Sequence, residues 1–393
     1  MPKNAEIAKE HDSSVPRAMR TPEGLPWPAH PLWGVVVLGW WLTRYLAYRI
    51  GLAQQPPVRT IYREGLSALQ YCFRCHDRLR IRGAEHCPAQ GPAVFASNHI
   101  ATFDPFYTLF SIWVGSGCGI KTYSMMRDDF FGRMNNPLFD FDEIMHLVGA
   151  FPVSRDQVRV TQLKPFVEVL RRGDAFFMYP SGTRTRSGLF MELPDSRQEP
   201  GSASFFLAQA GRKSESGTPV AVPMARTANI VTGWNTIVFG APMTLAPGAH
   251  RAEQRDFDAD LIERMGNMIE LQASHALAAL LFLWTTHNRA ETRTLEELCT
   301  AVKRVLESSG HDLIAPYTAS TLAAEVRGAV RCFQRAGLLR ESKEGVTPNL
   351  DAIRQLPAPD LRLWKKHPVR YLVNQTIHLP GFTAAAERVA LGE

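Results

Sequence analysis

The stretch Ala93-Val94-Phe95-Ala96-Ser97-Asn98-His99-Ile100-Ala101-Thr102-Phe103-Asp104-Pro105 decides how this chain is read. Gly91-Pro92 punctuates the sequence just before it, and Ala93–Ser97 is an uncharged run with the pattern of a short buried strand. A histidine at the end of such a strand is presented at the edge of the sheet, where open α/β sheets gather their ligands. Asp104 follows closely enough to return across one turn and hold the imidazole, fixing its tautomer and stabilising the imidazolium. This is the orienting half of a catalytic triad without a protein nucleophile. The nucleophile is then a hydroxyl carried by the substrate, which His99 would deprotonate.

Outward from this stretch, to about residue 245, apolar runs alternate with helical stretches. A helix is predicted near 104–114, followed by apolar Ile144–Val153 and a helix at 160–172. Apolar Ala175–Tyr179, a helix at 202–210, and apolar Val220–Met224 and Ile230–Phe239 complete the series. The alternation marks an α/β domain, a mixed sheet flanked by helices, over residues 79–249. After Pro247 the pattern changes: 256–285 and 294–340 show helical Ala and Leu periodicity, which places a helical C-terminal region at 250–393.

Two of the apolar runs end in cations. Gly149-Ala150-Phe151-Pro152-Val153-Ser154-Arg155 closes one, and Phe177-Met178-Tyr179-Pro180-Ser181-Gly182-Thr183-Arg184-Thr185-Arg186 closes another in a turn with two arginines. An arginine grips a phosphate through two charge-assisted hydrogen bonds, and Gly182 lets backbone approach a ligand closely. Each arginine alone reads as an ordinary solvated loop charge. Three runs that each end in a catalytic or cationic group imply one pocket at the sheet edge.

The composition, 45% hydrophobic and 21% charged over 393 residues, is that of a globular protein with a large core. Residues 1–30 are polar and proline-containing and read as a flexible tail. Leu32–Thr43 is uncharged, but twelve helical residues rise only about 18 Å against a hydrocarbon core of about 30 Å. Trp33, Trp40, Trp41, Tyr45 and Tyr48 with Arg44 and Arg49 favour a helix lying in the membrane interface, within a unit of interface helices at 31–78. One transmembrane span and a buried core helix are the other readings. Eight arginines between Arg44 and Arg82 face only Glu64 and Asp77, so this window carries the chain's whole net charge of +6. Such an excess beside an apolar stretch suits an anionic lipid surface, at the cytoplasmic face of a membrane. No nucleic-acid-binding pattern accompanies it.

The six cysteines are scattered, which argues against a disulfide framework. Cys72-Phe73-Arg74-Cys75-His76 matches the short haem-attachment pattern, but arginines flank it and it is read as coincidence. No ligand cluster for a metal is visible, so no metal or redox cofactor is expected.

At this point the sequence resembles the glycerolipid acyltransferase superfamily, which contains bacterial 1-acylglycerol-3-phosphate and glycerol-3-phosphate acyltransferases. The first motif, Asn-His, four residues and Asp-Pro, is matched by Asn98, His99, Asp104 and Pro105. The second is matched by Gly149, Phe151, Pro152, Val153 and Arg155, the third by Pro180, Gly182, Thr183 and Arg184, and the fourth by Val222 and Pro223. The match covers roughly 80–245. The resemblance implies that His99 is the base and Asp104 its partner. It places Arg155, Gly182, Thr183 and Arg184 in acceptor binding, and Ser181 and Arg186 of the same turn are read with them as substrate-binding residues. It implies an acyl thioester donor, coenzyme A or acyl carrier protein, and a phosphorylated glycerol acceptor, with lysophosphatidate placed before glycerol 3-phosphate.

Ser181 stands where most members of that superfamily have Glu, and the Pro-Ser-Gly form resembles plastid-type soluble glycerol-3-phosphate acyltransferases. Gln198-Glu199-Pro200-Gly201 lacks a lysine common in close lysophosphatidate acyltransferases. Tyr371–Leu379 reads as a packing helix or as similar to the helical tail of larger glycerol-3-phosphate acyltransferases, and His275 and His378 as structural histidines. Backbone N–H groups near Gly182 or at the start of the 104–114 helix are candidate oxyanion donors. A catalytically silent lipid-binding protein is the rival of another class. A thioesterase or lipase ranks last, for want of a Gly-x-Ser-x-Gly elbow.

Overall fold

The computed structural model describes residues 30–54, 75–117, 120–132, 135–136, 138–154, 160–195, 198–212 and 216–393. Residues 1–29 of the tail, residues 55–74 of the 31–78 interface unit and Arg155 lie outside these residues. In chain order come α1 (His30–Arg49), α2 (Cys75–Arg78), β1 (Leu79–Arg82), β2 (Ala93–Ser97), α3 (Asp104–Gly115), β3 (Thr122–Arg127) and α4 (Phe141–Leu147). They are followed by β4 (Ala150–Val153), α5 (Val160–Arg171), β5 (Ala175–Met178), α6 (Ala203–Gly211), β6 (Val220–Ala228), β7 (Asn235–Phe239) and β8 (Met243–Thr244).

These strands form one eight-stranded mixed sheet in the order β1-β7-β6-β2-β5-β3-β4, with β8 beside β6. Strands β6, β2, β5, β3 and β4 run parallel, while β7 turns back against β6 and carries β1 parallel to itself. All five residues of β2 are buried, as a central strand covered on both faces requires. Its side chains alternate between two cores. Phe95 packs on one face with Ile112 and Trp113 of α3 and with Phe177 and Phe239. Val94 and Ala96 pack on the other with Phe166 of α5, Phe206 and Leu207 of α6, and Phe176. Each such buried large apolar side chain contributes about 1.5–3 kcal/mol.

The helices after the sheet are α7 (Arg251–Asn267), α8 (Ala273–Thr286), α9 (Leu295–Ser308) and α10 (Ala319–Arg335). A hairpin of β9 (Leu339–Glu341) and β10 (Val346–Pro348) comes next, then α11 (Leu350–Arg354), α12 (Leu363–Lys366), α13 (Pro368–Thr376) and α14 (Pro380–Leu391). Helix α7 lies on the sheet through Leu261 and Met265. The others close a separate core around Leu277, Val302, Val326, Phe333 and Leu372. Thr294 opens α9 with a reciprocal capping box to Glu297, a pairing already spelled by Thr-Leu-Glu-Glu.

Several readings of the sequence need correction. Strand β3, Thr-Tyr-Ser-Met-Met-Arg, has too many polar positions to show as an apolar run. The Ile144–Val153 run divides into the end of α4 and strand β4, with Gly149 at φ 78 between them. The run from Ile230 starts in a turn closed by the Asn229 side chain on the amides of Val231 and Thr232, so β7 begins only at Asn235. The basic window is also less free than its composition implies: Arg80 and Arg82 are salt-bridged to buried Glu270, and Arg49 to Glu143.

Helix α1 is held by its C-terminal half. Trp41 and Tyr45 pack on Ile144, and the Tyr45 hydroxyl donates to Glu143 at 2.8 Å. Its other face leaves Leu32, Val35, Val36 and Trp40 exposed. No helix among the described residues is long and apolar enough to cross a membrane.

Candidate active site

Strand register brings the site together. Ser97 of β2 pairs with Met224 of β6, and Ala96 with Met178 of β5. His99 and Tyr179 therefore leave the sheet at one edge, within a residue or two of their paired strands, next to Arg226, which is still within β6 and paired with Ile237 of β7. Asn98 fastens that edge. Its side-chain oxygen accepts from the Arg226 amide at 2.7 Å, and its NH2 donates to the Arg226 carbonyl at 2.9 Å.

His99 Nδ1 lies 2.8 Å from Asp104 Oδ2. The same oxygen accepts from the amides of Ile100 at 2.5 Å and Ala101 at 2.8 Å, which folds the intervening turn around the carboxylate. The other oxygen accepts from Arg226 Nη1. Asp104 is fully buried, and Arg226 is 4% exposed. Burial pushes the Asp104 carboxyl up, but the Arg226 guanidinium and the His99 ring outweigh it and hold the group below its usual range. An ionised carboxylate only accepts, so Nδ1 carries the proton and Nε2 is left as the basic nitrogen.

The ring is held in its plane as well. Tyr179 stacks on it with centroids 4.2 Å apart and planes 14° off parallel. The Tyr179 hydroxyl is paired with Thr108 Oγ1 at 3.1 Å, and burial together with the Asp104 charge pushes it well above its ordinary value. Arg226 lies over the Tyr107 ring at 4.6 Å and donates to Asn235 Oδ1 at 2.5 Å. Among the described residues no hydroxyl or thiol is hydrogen-bonded to the His99 ring.

The loop after β5 folds back onto this pair. The Thr185 amide donates to the His99 carbonyl at 2.9 Å, and Arg184 donates to Thr102 Oγ1 at 2.5 Å. Glu192 organises the loop from within, accepting from Thr185 Oγ1, the amides of Arg186 and Ser187, and Ser187 Oγ. Arg184 thus lies beside the His99 turn, and the exposed Arg186 lies two residues further along. Gly182, at φ 67, makes the turn, but its amide is occupied by the Tyr179 carbonyl, which removes it as an oxyanion donor. The Ile100 and Ala101 amides, in the turn before α3, are likewise committed to Asp104. Ser181 is buried, its hydroxyl turned into its own loop on the Thr183 carbonyl, and Thr183 is half-buried.

Arg226, Tyr179 and Glu192 were missed from sequence. An arginine inside the apolar run Val220–Thr227 was the available signal, because a buried cation demands a buried anion. His275 and His378 are structural. His275 is fully buried, accepts from the Gln272 amide and pairs with Gln375, and burial pushes its pKa down to about 4. His378 pairs with the Gly266 carbonyl.

A histidine oriented by a buried carboxylate, beside a loop of arginines at the edge of a mostly parallel sheet, is an arrangement in which the imidazole can act as a general base. Residues 78–225 match the family model described as Acyltransferase, so this segment of the chain is similar to that family. The chloroplastic 1-acyl-sn-glycerol-3-phosphate acyltransferase LPAT1 of Arabidopsis thaliana is 32% identical over 114 residues. That alignment covers 28% of this chain and 29% of the plant protein, so the chain spans less than a third of this curated relative. The crystal structure of the 1-acyl-sn-glycerophosphate acyltransferase PlsC from Thermotoga maritima superposes with a TM-score of 0.40 and 14% identity. It covers 60% of this chain and 92% of its own.

Proposed function

We propose that the chain moves a fatty acyl group from an acyl thioester, on coenzyme A or acyl carrier protein, to the free hydroxyl of lysophosphatidate. The observation that carries this reading is the His99 ring, hydrogen-bonded through Nδ1 to Asp104 with Nε2 left over, beside the Arg184–Arg186 loop. His99 Nε2 takes the hydroxyl proton as the alcohol oxygen bonds to the thioester carbonyl carbon. The tetrahedral intermediate collapses with cleavage of the C–S bond, and the imidazolium returns the proton to the departing thiolate. Asp104 stabilises the imidazolium between these steps, and Arg184 with Arg186 binds the acceptor phosphate. No metal or redox group enters this sequence of steps. The exposed apolar face of α1 supports peripheral attachment to an anionic membrane surface at its cytoplasmic face, where a lysophospholipid acceptor resides.

The test is mass spectrometry of products formed from mixed acyl thioesters and candidate alcohols. Phosphatidate from lysophosphatidate, lost in His99→Ala, is the expected result. Turnover of glycerol 3-phosphate alone, the acceptor that Ser181 favours, would replace the acceptor assignment. Unchanged turnover in His99→Ala would remove His99 from the mechanism. Lipid binding with no product from any thioester would leave a catalytically silent binding protein.

A further inference from the structure

Helix α13 of the C-terminal region reaches the acceptor loop directly. Asn374 Nδ2 donates to the Ser187 carbonyl at 2.8 Å, a bond between residues 187 positions apart, and both side chains are buried. Glu192 already holds the amide and hydroxyl of Ser187, so Asn374 supplies the hold on the remaining side of that residue. The next residue, Gly188, sits at φ 92 with its backbone against α13, and a Cβ there would overlap the Tyr371 carbonyl oxygen. Only glycine fits this contact.

The helix that grips the loop is itself rigid. Pro368 begins it, His367 Nδ1 accepts from the Arg370 amide at 3.0 Å, and Val369 and Leu372 are fully buried. Gln375 is paired with His275 at 2.8 Å and lines, with Gly188, Asn98 and Arg226, the small cavity behind the catalytic pair. Burial, with a smaller contribution from the Asp104 charge, pushes the Tyr371 hydroxyl up to about 12. From Ser187 the chain runs back through Arg186, Thr185, bonded to the His99 carbonyl, and Arg184. A shift of Ser187 is therefore transmitted to the arginines.

We infer that Asn374 is a positioning residue for the acceptor: it holds the arginine-bearing loop at the distance from His99 that the acceptor's phosphate and hydroxyl must span. The inference rests on the acyl-transfer reading above. Asn374→Leu keeps the side-chain volume and removes the donor, leaving the Ser187 carbonyl unpaired. The expected result is an acceptor KM raised roughly tenfold, with donor KM and kcat at saturating acceptor within about twofold of the parent. Amide exchange in residues 183–190, measured without substrate on the full chain, becomes faster. Asn374→Gln, which retains the amide donor, recovers most of the acceptor KM. Gly188→Ala, pressing the loop away from Tyr371, gives the same split without touching Asn374. An unchanged acceptor KM, acceptor and donor KM rising together, or unaltered exchange in 183–190 would overturn the inference. Lack of acyl transfer by the parent protein to either phosphorylated glycerol sinks the underlying reading and the acceptor role with it. Faster exchange in Asn374→Leu would then still establish the hold on the loop.

Discussion

The two oxygens of Asp104 serve different partners: Oδ2 takes the His99 ring and two backbone amides, while Oδ1 takes the guanidinium of Arg226, 122 residues away. The carboxylate beside His99, at the start of α3, is therefore kept ionised by a cation from strand β6. Removing one partner of a buried pair leaves a charge without compensation, at a cost of about 3–5 kcal/mol. Arg226→Met is expected to lose stability of that order at pH 7, read from denaturant midpoints, and to lose acyl transfer. A variant as stable and active as the parent would show that Arg226 has no part in holding the pair.

Tyr179 contributes to His99 through its ring face rather than its hydroxyl. Aromatic stacking is worth about 0.5–1.5 kcal/mol, equivalent to roughly two- to tenfold in rate. Tyr179→Ala should lower kcat by about that factor, whereas Tyr179→Phe, which keeps the ring and loses only the Thr108 bond, should stay near the parent value. Equal losses in both variants would assign the role to the hydroxyl.

Glu192 ties the Arg184–Arg186 loop together. Burial pushes its carboxyl up, but hydrogen bonds from the Ser187 hydroxyl and amide, with Thr185 and Arg186, outweigh this and hold it below its ordinary value. A group with a depressed folded pKa adds stability above its unfolded value of about 4.3, and that stability is lost as pH falls through the folded value. Glu192→Gln is expected to be about 1–2 kcal/mol less stable at pH 7, with the gap narrowing below about pH 4. Urea midpoints at the two pH values check this, and a gap independent of pH would contradict it.

The exposed side of α1 is the surface assigned to lipid. Val36 and Trp40 are each 59% exposed, so Val36→Glu with Trp40→Glu should leave the unfolding midpoint within about 0.5 kcal/mol per site. Sedimentation with vesicles containing anionic lipid should weaken by tenfold or more, since each apolar side chain withdrawn from the interface forfeits about 1.5 kcal/mol or more. Unaltered sedimentation would move the attachment elsewhere.

Local patterns in this chain spelled out what short-range chemistry can decide. The buried strand Ala93–Ser97, the His99–Asp104 spacing that one turn closes, the Gly182 turn with its arginines and the helical texture after Pro247 were all legible, because each depends on neighbours in sequence. The reading of residues 31–78 as interface helices rests on composition alone and remains a proposal, and composition did not reveal the partners of Arg80, Arg82 and Arg49. Tertiary structure alone decided that Arg226 balances Asp104, that Tyr179 backs the imidazole, and that Asn374 grips Ser187. A buried charge or an unpaired carbonyl states only that a partner must exist. Which residue supplies it is set by strand register and helix packing, which join positions more than a hundred residues apart.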